Sequence, residues 1–359
     1  MTTSADRGGG VDTNLHEWPR VLLVAMAFVL AGCDEGPAPV DHLRGLTMGT
    51  SYSIRLGETI AAGEAEALEE RIAARLQDIN NAMSTWDADS EISRFNASRA
   101  VDWIPVSPEF AAVAAAAVEV GEQSGGAFDP TVGPLVALWG FGPGRSREQA
   151  TTVPTAADLA DARKVTGYQF LEVRADPPAL RKASLPALQL DLSGIAKGYA
   201  VDVIADLLES EGITSYLVEI GGEVRAGAAK PDGSPWRIGI EAPHADERTV
   251  HRVLELTDSA LATSGDYRAF LVLDGRRHSH LIDPRTGRPV PDESLGSVSI
   301  VAPTCQFADA MATALYVLGP EEGPRLAESQ KLNTVFLMRR DDEISEITTG
   351  SFDKNAGES

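Results

Sequence analysis

Apolar residues recur at helical spacing in several parts of this chain. In AEALEERIAARLQDINNAMS they are three or four residues apart, which predicts an amphipathic helix whose buried face carries Leu68, Ile72, Leu76 and Ile79. A second helix is predicted over SPEFAAVAAAAVEVGEQSGG, with Ser107 as its N-cap, Pro108 as its first residue and glycines at its end. A third helix is predicted to begin near Ile195, and a fourth to run from about Gln306 to Leu318, where a Gly-Pro pair ends it.

Outside these helices, apolar and polar residues alternate, which predicts strands. The predicted strand segments are TMGTSYSIRL, LPALQLDLS, SYLVEIGGEVRAG, WRIGIEAP, TVHRVLELTDSALATSG, YRAFLVLDGRRHSHLIDP and SVSIVAP. Turns are predicted at Asp232 and Gly233 and at Asp274 and Gly275, so the strands would be largely antiparallel. The pattern predicts an α+β fold with mixed or antiparallel sheets flanked by helices, as one large domain or as two lobes with the site between them.

The segment RVLLVAMAFVLAGCDE near the N-terminus carries a targeting signal. An arginine, an apolar run from Val21 to Leu30 and then Ala31, Gly32 and Cys33 have the order of a signal peptide and are too short for a spanning helix. The end of this segment resembles a bacterial lipobox, which implies cleavage before Cys33 and lipidation of that cysteine. Asp34 resembles the signal that retains such lipoproteins in the inner membrane, facing the periplasm. The alternative is an ordinary secretory signal in which Cys33 is incidental.

The domain plan predicted from these signals has four parts. A signal peptide, a tether, a folded domain and a flexible C-terminal tail are predicted at residues 1–32, 33–42, 43–345 and 346–359, respectively. The chain has two cysteines, so lipidation of Cys33 leaves only Cys305 and excludes an internal disulfide bond in the mature protein. A lone cysteine is typical of a buried core position.

Composition and charge narrow the classes of function. Of the 359 residues, 43% are hydrophobic, which is a globular composition with enough apolar residues for a large core. The formal net charge is -22, which argues against a nucleic-acid partner because such partners require a positive surface. A small anionic ligand remains compatible with this chain if the site has its own cations.

The motif DLSGIAKGYAVD begins where a predicted strand ends and continues into a helix. Such a junction presents free backbone N–H groups that favour an anion, and here Lys197 adds a positive charge and Asp191 an acceptor. The alternative is a capped helix, with Ser193 as the N-cap, Lys197 in solvent and Gly198 serving helix-sheet packing. This stretch alone does not decide between the two interpretations.

A second motif lies in CQFADAMATALYVLG, where Asp309 and Thr313 are four residues apart and share one helix face. Two hard oxygen ligands suit Mg²⁺, which is usually held by few protein groups together with waters and substrate phosphates. The alternative is structural: Asp309 would complement the helix dipole in the first turn, and Thr313 would bond back to a carbonyl.

Eight motifs, in order from Met48 to Gly319, resemble the ApbE family of flavin transferases. They are MGTSYSI, MSTWDADSEISRFN, SGGAFDPTVGPLVALWGFG, DLSGIAKGYAVD, VEIGGEVRAGA, ATSGDYRAF, HSHLIDPRTGRPV and FADAMATALYVLG. The resemblance implies an ApbE-like fold and a periplasmic or membrane-anchored FAD:protein FMN transferase. Members split the FAD diphosphate with Mg²⁺, attach FMN to a threonine of a target protein through a phosphoester, and release AMP.

The resemblance also assigns roles to residues of this chain. The implied FAD contacts are Met48, Trp86, Ala127, Phe128, Asp129, Asp191, Lys197 and, through its backbone, Leu281. The implied Mg²⁺ ligands are the carbonyl of Gly194 and the side chains of Asp309 and Thr313. Trp86 stands where a tyrosine is often found, and its alternative is an ordinary core position.

Diphosphate cleavage requires neutralised phosphate oxygens, which Mg²⁺ and Lys197 would provide, and a base for the acceptor hydroxyl. His280, beside Asp283, is the candidate for that base or for orienting the phosphate, and its alternative is a solvated histidine. The resemblance to the ApbE family implies a partner that is an electron-transport or reductase subunit with a segment resembling S-G-A-T. Three other functions stay open: a FAD pyrophosphatase giving FMN and AMP, a flavoprotein that keeps FAD as a redox cofactor, and a non-catalytic FAD-binding lipoprotein.

Overall fold

A computed structural model of the chain describes residues 39–143, 152–243, 249–266, 270–291, 295–340 and 343–354. The helices of this part are α1 (Ala62–Met83), α2 (Glu91–Ala97), α3 (Pro108–Gln123), α4 (Gly133–Leu138), α5 (Ala156–Arg163), α6 (Ala196–Ser210) and α7 (Cys305–Ser329). Within the described ranges, no helix has the length and apolar content needed to cross a membrane.

The strands, in chain order, are β1 (Val40–Thr47), β2 (Thr50–Ile60), β3 (Ile104–Pro105), β4 (Glu172–Ala175), β5 (Pro178–Arg181), β6 (Tyr216–Ile220), β7 (Glu223–Ala226), β8 (Trp236–Glu241), β9 (Val250–Leu256), β10 (Ser259–Gly265), β11 (Phe270–Leu273), β12 (Arg276–Ser279), β13 (Ile282–Asp283), β14 (Arg288–Pro289), β15 (Leu295–Ala302), β16 (Asn333–Arg340) and β17 (Glu343–Thr349). The main sheet has the order β1-β2-β6-β7-β10-β15-β16-β17, and smaller sheets are formed by β3-β5-β4, β8-β9, β11-β12 and β13-β14. Every neighbouring pair in the main sheet is antiparallel, so the predicted α+β class is confirmed.

The helices predicted from apolar spacing are present, with one difference in length. All four predicted face residues of α1 are buried, and the Ser107 side chain accepts the N–H of Phe110 at 3.2 Å as the N-cap of α3. Helix α7 does not end at the predicted Gly-Pro pair: Gly319 has a φ of 79° and kinks the chain, and helical residues continue to Ser329. Pro320 is tolerated because it begins the new helical segment, where its missing N–H needs no partner.

The segment TMGTSYSIRL is not one strand, because it contains the turn between β1 and β2. Thr47 pairs with Thr50, and Met48 and Gly49 between them have φ values of 50° and 72°. Both central residues of such a tight hairpin turn need positive φ, which glycine adopts freely and methionine rarely does. A methionine at this position gives no turn signal in the sequence, which is why the break in the strand was not predicted.

The segment LPALQLDLS is not a strand, although its alternate residues Leu188, Leu190 and Leu192 are buried. The side chain of Asn96 takes the place of a partner strand: its amide donates to the carbonyl of Leu190 at 2.8 Å and its oxygen accepts the Leu190 N–H at 2.7 Å. The N–H of Asp191 donates to the carbonyl of Pro130 at 2.7 Å. Alternating burial therefore arises here without a sheet.

The main sheet lies between two apolar layers. On one face, α1, α3, α6 and α7 bury the largest core against the sheet, and Cys305 is part of it. On the other face, the β8-β9 ribbon packs Trp236 and Leu254 against Leu261 of β10 and Leu337 of β16. The described residues from 39 onward form one compact unit and not two lobes.

Regular structure extends beyond both predicted ends of the domain. Strand β1 begins at Val40, inside the predicted tether, because Val40 pairs with Ile60 of β2. Strand β17 continues to Thr349, inside the predicted tail, because it pairs along β16 as far as Thr334. The folded domain therefore begins earlier and ends later than residues 43–345. The signal peptide and Cys33 lie outside the described residues.

Candidate active site

A cavity of about 810 Å³ opens where the strand-to-helix junction, the β6-β7 turn, β8, β10 and α7 meet. It is lined by most of the residues singled out in the sequence, namely Trp86, Ala127, Phe128, Asp129, Asp191, Gly194, Lys197, His280, Leu281, Asp309 and Thr313. Met48 and Asp283 are not part of this lining. The chain therefore brings together residues that are up to 227 positions apart, from Trp86 to Thr313.

The junction before α6 is held by Asp191. Its Oδ1 accepts the backbone N–H of Ser193 at 2.9 Å and the hydroxyl of Ser193 at 2.6 Å. Ser193 is therefore not the N-cap that the alternative interpretation requires: the N-cap position is Ile195, which makes no side-chain cap bond. Instead, the N–H of Gly198 in the first turn donates to Oδ2 of Asp309 at 2.9 Å, so α6 is tied directly to α7.

Gly198 lets α6 and α7 approach each other closely. A Cβ atom at residue 198 would lie 2.3 Å from the backbone oxygen of Cys305 and 2.8 Å from the Cβ of Asp309. Real Cβ contacts do not approach this closely, so a side chain at 198 would push the helices apart. The glycine thus serves packing between two helices, where the sequence suggested packing between a helix and a sheet.

We expect Gly198→Ala to lower the free energy of unfolding by about 3 kcal/mol, because backbone atoms of α7 cannot yield as a flexible side chain can. Gly63→Ala is the matched control, since Gly63 lies in the first turn of α1 with nothing within 4 Å of its Cβ position. Helix propensity predicts that this control is neutral or stabilising by up to about 1 kcal/mol. Chemical denaturation of both variants measures the difference, and equal stabilities would contradict the close contact.

Lys197 lies between two buried carboxylates. Its Nζ is 2.5 Å from Oε1 of Glu223 and 3.9 Å from Oδ1 of Asp309. Burial disfavours its charged form, but Asp309 and Glu223 outweigh this and raise the pKa of Lys197 above its ordinary value. Burial raises the pKa of Glu223 to about 7, an effect that Lys197 opposes and Asp309 reinforces. The ammonium group is therefore paired although it is partly exposed, and it balances protein carboxylates before any substrate enters.

Glu223 was missed by the sequence analysis, although a signal for it exists. Gly221 and Gly222 form a two-residue turn with φ values of 62° and 106°, which pairs Glu223 with Ile220 across the hairpin. Directly paired residues share one face of a sheet, and Ile220 belongs to the buried apolar face of β6. A charged residue at that register position is buried, so it requires a partner of opposite charge.

The proposed metal ligands come together from the junction and from α7. A Cβ atom at Gly194 would lie 3.5 Å from Oγ1 of Thr313 and 3.1 Å from a ring carbon of Phe128. Asp309 is one turn before Thr313 on α7, and Ser264 of β10, which the sequence analysis did not identify, places its hydroxyl 3.1 Å from that of Thr313. In the described ranges, no group of three or more His, Cys, Asp or Glu side chains is suited to a metal ion. The carboxylate of Asp309, the hydroxyl of Thr313 and the carbonyl of Gly194 are all oxygen donors, and such a set fits Mg²⁺.

The Ala127–Asp129 segment forms another wall of the cavity. Asp129 accepts the N–H and the hydroxyl of Thr131 at 2.8 and 2.6 Å through Oδ1, and the N–H of Tyr168 at 3.1 Å through Oδ2. Burial raises the pKa of Asp129, while these hydrogen bonds oppose the shift. The carboxylate therefore fixes the wall in place. Trp86 is 72% exposed at the cavity lining, so it is not an ordinary core residue.

The remaining predicted residues differ in their relation to the cavity. His280 lines it, with its ring centroid 6.3 Å from that of Phe141. Leu281 also lines it, and its backbone carbonyl accepts the Val290 N–H at 2.9 Å. Asp283 instead pairs with Arg285 at 3.0 Å. Its backbone carbonyl accepts hydrogen bonds in the β13-β14 turn, so proximity to His280 in sequence does not bring it into the described lining.

The charges around the cavity are mostly negative. Its described lining contains one ammonium group, that of Lys197, and the carboxylate residues Asp129, Asp191, Glu219, Glu223, Glu241 and Asp309. An anionic ligand entering this cavity would be repelled by the carboxylates, because Coulomb interactions are strong in a partly buried site. The site therefore requires an added cation if its ligand carries phosphate groups.

Comparison with known proteins identifies relatives along nearly the whole folded part. The ApbE family model matches residues 48–338. A FAD:protein FMN transferase of Vibrio cholerae is 42% identical over 332 residues, which cover 92% of this chain and 97% of that protein. The solved structure of flavin transferase ApbE from Vibrio cholerae superimposes with a TM-score of 0.78 and covers 88% of this chain and 99% of its own. The apo form of the flavinyl transferase ApbE of Pseudomonas stutzeri is 40% identical, with a TM-score of 0.79 and coverages of 89% and 98%. The chain belongs to the ApbE family.

Proposed function

We propose that this protein is a FAD:protein FMN transferase. It moves the FMN part of FAD to a threonine or serine hydroxyl of a target protein, forms a phosphoester and releases AMP. The relatives that cover almost the whole chain carry the name FAD:protein FMN transferase. The observation that carries the proposal is the meeting of Lys197, Glu223, Asp309 and Thr313 in one large cavity.

In this proposal, the side chains of Asp309 and Thr313 and the carbonyl of Gly194 would hold Mg²⁺, which would supply the positive charge that a diphosphate requires. Ser264 orients Thr313 through their hydroxyl contact. The acidic lining supports this assignment, because Lys197 already pairs with Glu223 and lies near Asp309. The positive charge of Lys197 that these two carboxylates leave unbalanced is too small to neutralise a diphosphate.

The other lining residues bind and orient the two reactants. Trp86 and Phe128 offer aromatic faces to the flat flavin ring. His280 accepts the proton of the acceptor hydroxyl. The hydroxyl oxygen then forms a bond to the FMN phosphorus while the bond from that phosphorus to the bridging oxygen breaks, and AMP leaves with that oxygen. The acceptor is proposed to present a segment resembling S-G-A-T on an electron-transport or reductase subunit.

Acceptor dependence tests this function against its alternatives. Purified protein is incubated with FAD and Mg²⁺, with and without an acceptor protein, and AMP is quantified by chromatography. We expect AMP to accumulate mainly when the acceptor is present. AMP release at the same rate without acceptor would instead establish a FAD pyrophosphatase, and bound FAD with no AMP in either reaction would establish a flavin-binding protein.

We also propose that the protein is an inner-membrane lipoprotein facing the periplasm, anchored through Cys33. The support is the order of the apolar run and the Leu-Ala-Gly-Cys end in residues 20–33. We expect Cys33→Ser to leave the protein out of its normal membrane fraction, since the lipid attachment atom is lost. Cys305→Ser is the control for thiol loss at a buried position. Membrane fractionation with immunodetection measures both, and an unchanged distribution of the Cys33 variant would contradict the anchor.

A further inference from the structure

The N-terminus of α7 is capped by a residue of another helix. Its N-cap residue, Thr304, makes no side-chain cap bond, although the first N–H groups of a helix need acceptors. Asp202 of α6 supplies them: Oδ1 accepts the N–H of Cys305 at 3.0 Å, and Oδ2 accepts the N–H of Gln306 at 2.8 Å. Both oxygens of one carboxylate are thus committed to the start of α7.

Arg225 of β7 holds the Asp202 carboxylate in this position. Its guanidinium donates to Oδ1 of Asp202 at 3.0 Å and also contacts Asp206 at 3.3 Å. The side chains of Asp202 and Arg225 are 11% and 19% exposed, so the pair is shielded from water and is not a mobile surface ion pair. Asp202 is therefore fixed from the sheet side as well as from α7.

Two hydrogen-bonded contacts connect α6 to α7. On each helix, the residues that make the two contacts are one helical turn apart. Gly198 donates to Asp309, and four residues later Asp202 caps the helix at Cys305, four residues before Asp309. Strand β7 supports α6 at both levels, because Glu223 pairs with Lys197 and Arg225 pairs with Asp202. Helix α7 consequently has its rotation and its position along its axis set at two points.

We propose that Asp202, held by Arg225, is a positioning residue that fixes α7 so that Asp309 and Thr313 face the cavity at the correct depth. The inference rests on the proposed function, since it gives these two side chains the role of metal ligands. Asp202 is the last residue of the DLSGIAKGYAVD motif, and it does not line the cavity. Its effect on the reaction therefore passes through α7.

The test uses Asp202→Asn, which keeps the shape but turns an NH₂ group toward one of the α7 N–H groups. We expect faster hydrogen exchange at the start of α7. We also expect Mn²⁺ affinity of the FAD-free protein, measured by electron paramagnetic resonance, to fall at least about tenfold, as is usual when a support of metal ligands is removed. The Mg²⁺ concentration for half-maximal transfer should rise by the same factor, while the rate at saturating Mg²⁺ stays near that of the wild type.

Ser107→Ala is the matched control, because Ser107 caps α3 and is absent from the described cavity lining. It should lose thermal stability without a change in Mn²⁺ affinity. If Asp202→Asn does not fold, Arg225→Lys is a milder change to the same Arg225–Asp202 contact. It should lower the Mn²⁺ affinity as well. Unchanged Mn²⁺ affinity in the folded Asp202 or Arg225 variant would overturn the proposal, as would a wild-type protein that binds no Mn²⁺. Weakened Mn²⁺ binding in a protein without transferase activity would keep the positioning role and overturn the proposed function alone.

Discussion

Replacing Asp309 with asparagine is expected to reduce FMN transfer about a thousandfold while the protein stays folded. The amide oxygen of asparagine can still accept the N–H of Gly198, which in the native protein lies 2.9 Å from Oδ2 of Asp309. What is lost is the negative charge that would hold Mg²⁺ beside Thr313. A metal ion that polarises a phosphoryl group contributes several kcal/mol to transition-state stabilisation, and about 4 kcal/mol corresponds to a thousandfold change in rate.

The rate of acceptor modification at saturating FAD measures this effect, with circular dichroism and thermal unfolding as tests of folding. Asp161→Asn is the charge-matched control: Asp161 of α5 is exposed and pairs with Lys164, the C-cap of that helix, so the variant should leave the rate unchanged. If the Asp309 variant transfers FMN at the wild-type rate, the metal site is elsewhere and Asp309 only connects α7 to α6 through Gly198; Asp309 lies beyond the first turn of α7, so the helix-dipole alternative does not apply.

Lys197→Met is expected to destabilise the protein in the absence of Mg²⁺. The substitution keeps an apolar stem but leaves Glu223 and Asp309 as neighbouring buried carboxylates, whose side chains are 4% and 5% exposed. Breaking a fully buried ion pair costs about 3 to 5 kcal/mol. Because the Lys197 side chain is 29% exposed, we expect a loss of about 2 to 3 kcal/mol in the free energy of unfolding.

A double variant separates this electrostatic cause from a simple packing defect. In Lys197→Met with Glu223→Gln, only one of the two carboxylates remains charged, so repulsion between them is removed. We expect the double variant to recover at least about 1 kcal/mol relative to Lys197→Met, which is within the range of coupling between contacting residues. Urea denaturation without metal measures all of these stabilities. Purely additive losses would show that Lys197 does not balance the two carboxylates.

Local patterns were sufficient to predict the elements that carry the site. The buried face of α1 follows from apolar spacing, and the Ser107 cap follows from a Ser-Pro pair before a helix. The four-residue spacing of Asp309 and Thr313 predicted that both lie on one face of a helix, and both line the cavity. These features depend on residues within one or two helical turns of one another, so the sequence alone determines them.

Features that depend on contacts between distant segments were not predicted. Ser264 reaches Thr313 only because β10 lies in the sheet against α7. Asp202 caps α7 across 103 positions of sequence, and Asn96 stands in for a strand across 94 positions. Hydrophobic patterns indicate burial but do not identify the hydrogen-bond partner. The alternation in LPALQLDLS therefore predicts a strand, although none forms there. Nearness in sequence can also mislead: Asp283 is three residues from His280, but its side chain pairs with Arg285 in a turn.

Intact-mass spectrometry of an acceptor protein is the most direct test of the central claim that this chain transfers FMN from FAD to protein. An acceptor with an S-G-A-T-like segment is incubated with FAD, Mg²⁺ and either the wild-type protein or its Asp309→Asn variant. The account predicts that the wild type adds the mass of one FMN less one water to the acceptor, with an equal amount of AMP formed. It also predicts that the variant, or wild type with a chelator, adds no detectable FMN to the acceptor in the time in which the wild type modifies it completely. AMP formation with no change in the mass of the acceptor would contradict it.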